Sequence, residues 1–143
     1  MISGGGFRIV VPDADLIYEM LVNENKEFFE PWIMRENATV LEAFFILVAH
    51  PRVPFEDMEV KNNLLKMKKE ELLNYYSGKL KYDYKKAGEH INWFNYEKLK
   101  IMLENAGFHI VKKTNAQESI FQEIRGDCFD TRAWYSLHVD AIK

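Results

Sequence analysis

Residues 93–113, WFNYEKLKIMLENAGFHIVKK, constrain the fold more than any other part of the chain, because they carry a start and a stop signal for one helix and then turn directly into a strand. Asn95 is placed to cap the helix, Phe94 before it to pack on Leu99 as a hydrophobic staple, and Glu97 to complement the positive end of the helix dipole. Leu99, Met102, Leu103 and Ala106 give the helix one apolar stripe. Gly107 supplies the left-handed stop, and Phe108 is placed to touch Leu103 in a Schellman arrangement. The run 108–113 then reads as a strand.

Two further strands follow from residue type. Residues 7–11, FRIVV, are apolar except for Arg8 and β-branched at Ile9, Val10 and Val11, which suits a strand covered on both faces and ended by Pro12. In 134–143, Leu137, Val139 and Ala141 alternate with Ser136, His138 and Asp140, so one face is apolar and the other polar. Between the first strand and the capped helix the pattern is helical. Asp13 can cap a helix from Ala14 with Leu16, Ile17, Met20 and Leu21 on one stripe. Val40, Leu41, Phe44, Phe45, Leu47 and Val48 predict a buried helix within 36–50, stopped by Pro51 and Pro54. A longer helix is predicted over 55–76, with Met58, Leu65, Leu72 and Leu73 partly aligned and the charged run 66–71 facing water. Residues 78–88 read as a loop, and 118–124 as a short helix.

The chain has 143 residues, of which 48% are hydrophobic and 14% aromatic, enough to bury the core of one domain. A net charge of -3, with both signs interspersed, offers no single-sign field for nucleic acid or anionic lipid. The longest apolar run, 43–49, is far short of the roughly 20 residues that span a bilayer. The expectation is a cytoplasmic protein with neither a nucleic-acid nor a membrane partner. The lone Cys128 cannot close an intrachain disulfide and reads as a small buried apolar group rather than a nucleophile.

Strand, helices, capped helix, AGF turn, strand and terminal strand in this order resemble the second half of a class I S-adenosylmethionine-dependent methyltransferase. The resemblance covers nearly the whole chain. It is carried by Gly4, Gly5 and Gly6 before FRIVVPD, by Leu103 to Phe108 as L-x-x-AGF, and by Ser136 to Ala141 as a closing S-L-x-V-x-A strand. It implies an α/β fold: a partial Rossmann-like sheet, small, mixed and three-stranded, with helices, in one domain over 1–143 interrupted by a helical insertion at about 14–90. It also implies that the last strand lies between the other two and runs antiparallel to them. The family grips its cofactor with a glycine-rich loop after the first strand and an acidic residue after the second, both upstream of the matched region. Here the glycine cluster precedes its strand, whereas a nucleotide loop follows one. The resemblance therefore implies a truncated methyltransferase-like protein that cannot bind S-adenosylmethionine alone, or else a non-catalytic binding or structural module on the same half-fold.

Candidate substrate-side residues follow from position. Ligands of open α/β sheets sit at the carboxyl ends of strands, where Asp13 and Asp15 stand, with helix capping the competing role for Asp13. His90, Asn92 and Trp93 precede the capped helix, in a region that in similar methyltransferases lies over the active-site mouth; His90 reads either as a base for a small-molecule acceptor or as an ordinary loop histidine. His50, His109 and His138 have no ligand spacing, so no metal site is predicted. The first strand and the segment around Phe44 and Phe45 are expected to be left without packing partners, which predicts a homodimer.

Overall fold

The computed structural model describes residues 5–33, 38–49, 56–80, 92–126, 128–130 and 132–143. Gly4, Glu36, His50, Pro51, Pro54, Phe55, His90 and most of the 78–88 segment lie outside the described residues. The chain divides into two compact units, one formed by Met1–Asp13 with Phe94–Lys143 and the other by Ala14–Trp93. The insertion read at about 14–90 falls in the second. Six α-helices and one three-stranded sheet are found among the described residues.

The first unit is built on β1 (Gly6–Pro12), β2 (Ile110–Thr114) and β3 (Ser136–Ile142), in the spatial order β1-β3-β2. The terminal strand is central and antiparallel to both neighbours, with Arg8 opposite Asp140 and Val10 opposite His138 on one side, and Lys112 opposite Asp140 on the other. The sheet is therefore antiparallel throughout rather than mixed. β1 is an edge strand, not one covered on both faces, and Val10 is 38% exposed. Pro12 is its last residue and still pairs opposite Ser136, as an edge strand permits because its outer side needs no donor.

The helix Tyr96–Asn105 closes one face of this sheet and forms as its sequence dictates. The Asn95 side chain accepts from the Lys98 N–H at 2.9 Å. Gly107 has φ +84°, the Phe108 N–H donates to the Leu103 carbonyl and the Gly107 N–H to the Glu104 carbonyl, which completes the Schellman stop. Leu99, Leu103 and Phe108 then bury against Leu137, Val139 and Ala141, with Phe7, Ile9, Val11 and Phe94 packed around them. The Phe7 and Phe108 rings meet edge-on, 5.1 Å between centroids. Met102, expected in the stripe, is exposed.

In the second unit α1 (Ala14–Val22), α2 (Lys26–Phe29), α3 (Val40–Val48), α4 (Asp57–Lys66) and α5 (Lys69–Ser77) follow one another, so the helix above is α6. Thr39 opens α3 with a capping box to Glu42. Phe44 and Phe45 are buried inside this unit, not left without partners, and the Phe45 ring lies 4.8 Å from that of Tyr76. The single helix expected over 55–76 is two helices, broken at Met67 and Lys68, where the Lys68 N–H turns to the Glu71 carboxylate. The break resets the helical phase, so Met58 and Leu65 are 66% and 86% exposed and Val60 is the buried residue of α4. No helix among the described residues is long and apolar enough to cross a membrane.

Candidate functional site

The second face of the sheet carries the densest polar chemistry in the first unit. Arg8 sits on it at 4% side-chain exposure, facing Asp130 and Asp140 at 0% each. All five guanidinium donors are used. Nε and Nη2 fork onto Asp130 at 3.1 and 2.8 Å, Nη1 reaches Asp140 at 2.9 Å and the Thr114 hydroxyl at 2.8 Å, and Nη2 also donates to the Asn115 carbonyl at 3.0 Å. The far oxygen of Asp140 accepts from the Ser119 hydroxyl at 3.1 Å and the Ile120 N–H at 2.7 Å, and Asp130 also accepts from the Gln117 N–H. The segment after β2 is thus fastened to the sheet by buried charge.

Burial alone disfavours the Arg8 charge, but its hydrogen bonds and ion pairs with Asp130 and Asp140 outweigh that and raise its pKa above the ordinary guanidinium value. Burial likewise pushes the Asp130 carboxyl up, and the bonds from Arg8 and the Gln117 N–H reverse this and hold it below the usual carboxylate range. His138 lies beside them, 3% exposed, its Nε2 lying 3.7 Å from Asp130 and having no hydrogen-bond partner among the described residues. Burial draws the imidazole below its ordinary pKa against the attraction of Asp130, so it is neutral at pH 7. The carboxylates are saturated by fixed donors, which makes this arrangement a structural clamp rather than an acid–base pair.

The residues singled out from sequence are distributed differently. Asp13 directly follows β1, its N–H donating to the Tyr135 carbonyl at 2.9 Å and its carboxylate lying 3.3 Å from Lys113 Nζ. In the second unit Asp15 pairs with Lys69, the Asn92 side chain accepts from the Trp93 N–H at 3.0 Å, and the buried Trp93 donates from Nε1 to the Asn74 side chain at 3.0 Å. His90 lies outside the described residues. Cys128 is exposed, not buried. Among the described residues no three His, Cys, Asp or Glu side chains form a group that could hold a metal.

Sequence reading missed Arg8, Asp130, Asp140 and Ser119. One signal was available: a charge inside an apolar strand is buried only with a partner. The polar face of β3 is accordingly as buried as its apolar face, since His138 and Asp140 are covered by the segment that follows β2.

At the carboxyl end of β1 the Asp13 N–H donates to the Tyr135 carbonyl, and beyond β2 the Gln117 N–H donates to Asp130. No family model, curated protein or solved structure matches the chain.

Proposed function

We propose that this chain is the C-terminal half of a class I methyltransferase-like fold, contributing the far end of the sheet and substrate-side elements while the grip on S-adenosylmethionine comes from a cofactor-binding half outside these residues. The observation that carries the reading is the position of β3, between β1 and β2 and antiparallel to both, which is the arrangement that the resemblance implies. The capped helix with its AGF stop leads into β2 in the expected order, and β1 presents an open edge where a parallel neighbour would join. On this reading the substrate is a small molecule met at the strand ends near Asp13.

The alternative is a binding or structural module without catalysis, and the saturated Arg8 clamp favours it, because these buried polar groups are spent on holding the unit together. Co-expression of this chain with the product of the reading frame immediately upstream separates the two. The half-fold reading predicts that the upstream product carries a strand followed by a G-x-G-x-G loop, copurifies with this chain, and binds S-adenosylmethionine only in the complex. An upstream product without such a loop, or no copurification, leaves the module reading standing.

A further inference from the structure

A cleft of about 640 Å³ in the first unit is lined by the end of β2 and by the segment that the Arg8 clamp holds. Its lining contains three cations, Lys112, Lys113 and Arg125, and one carboxylate, Glu118. That is a local excess of positive charge on a chain whose net charge is -3. Lys113 is engaged by Asp13, and Glu118 accepts from the Asn115 side-chain amide at 2.7 Å. Arg125 is aimed by its Nε, which donates to the Ser119 carbonyl at 2.6 Å and leaves the two terminal nitrogens free for another acceptor. Lys112, on the edge strand β2, is exposed.

The wall of the cleft is pre-organised. Within six residues the backbone is pinned three times to buried charge: the Asn115 carbonyl to Arg8, the Gln117 N–H to Asp130 and the Ile120 N–H to Asp140. Gln117 is held at φ +65°, a left-handed conformation uncommon for a residue with a side chain. A wall fixed before binding spares a ligand the cost of ordering it. Arg125 and Lys112 offer the forked and point-like cations that suit a phosphate group. The Asn115 side-chain oxygen and the exposed Gln117 side-chain amide suit hydroxyl groups beside it.

We propose that this cleft binds a small phosphorylated, hydroxyl-bearing molecule of the sugar-phosphate class, with Lys112 and Arg125 holding the phosphate. The site is independent of the methyltransferase reading.

The test is an amide NMR titration of the full chain with ribose 5-phosphate, with inorganic phosphate and ribose at matched ionic strength as comparison arms. Saturable shifts confined to 112–125, tighter for ribose 5-phosphate than for either comparison ligand, are expected. Lys112→Glu combined with Arg125→Glu should weaken binding at least about tenfold while the rest of the spectrum stays dispersed. Lys100→Glu, a charge reversal at a half-buried α6 lysine outside the cleft, should leave it unchanged. Shifts that do not saturate, or that survive the double reversal, overturn the site; equal affinity for inorganic phosphate overturns the sugar-phosphate class.

Discussion

Arg8→Met is the sharpest perturbation of this fold. It removes one side chain that neutralises two carboxylates with no exposed side-chain surface. An exposed ion pair contributes about 0.2–1 kcal/mol, but removing one partner of a buried set leaves uncompensated charge and costs about 3–5 kcal/mol. Against a typical total of about 5–15 kcal/mol, that is a large fraction of the stability. With a urea slope near 2 kcal/mol/M, the unfolding midpoint should fall by about 2 M at pH 7. The charge argument also fixes the pH response. Without Arg8, burial is expected to carry the Asp130 carboxyl above its unfolded value of 3.8, so the folded state holds more protons and the variant loses stability as pH rises above that value. Replacing Arg8 with Met, Asp130 with Asn and Asp140 with Asn together should cost at least about 1 kcal/mol less than the three separate losses summed, since the neutral set carries no stranded charge. Urea melts followed by circular dichroism read all three outcomes. A loss under about 1 kcal/mol for Arg8→Met, together with an unaltered pH response, would refute the clamp.

At the stop of α6, Leu103→Ala should cost about 2–5 kcal/mol by emptying a buried site, and Gly107→Ala about 1 kcal/mol through its backbone conformation, because the added Cβ meets only Lys143 at an ordinary 3.6 Å; neutral melts for both would displace the helix. The depressed pKa values of His138 and Asp130 both give stability that is complete at high pH and lost on acidification, first as pH falls below the unfolded histidine value of 6.5 and again below the unfolded aspartate value of 3.8. The upper step, with a slope of at most about 1.4 kcal/mol per pH unit, should vanish in His138→Gln, and persistence of that step would assign it elsewhere. The open β1 edge, with Val10 exposed, should pair with a second copy; light scattering should then give twice the 16.9 kDa chain mass and Val10→Lys should lower it, whereas a monomer at micromolar concentration counts against pairing.

Features set by neighbours along the chain were legible in the sequence. Asn95 and Gly107 delimit α6 through bonds only three to five residues long, and the β-branched run at 9–11 makes a strand wherever it pairs. Features set by distant partners were not. Arg8 reads as an interruption until Asp130 and Asp140, more than 120 residues away, are brought beside it. The helix break at Met67 and Lys68 was similarly hidden, because neither residue is a breaker by type; its consequence is that Met58 and Leu65 point outward despite helical spacing. For the candidate ligand site, the consecutive lysines 112 and 113 were visible, but the clamp that stiffens the wall opposite them is a product of tertiary structure.

The half-fold account is tested most directly by isothermal titration of S-adenosylmethionine into the purified chain and, in parallel, into the chain copurified with its proposed cofactor-binding half. Bound alone, the ligand would remain largely in water, without the backbone loop and ribose carboxylate that ordinarily hold it. The account predicts no measurable heat from the chain alone and a one-to-one isotherm from the complex; a one-to-one micromolar isotherm from the chain alone would contradict it.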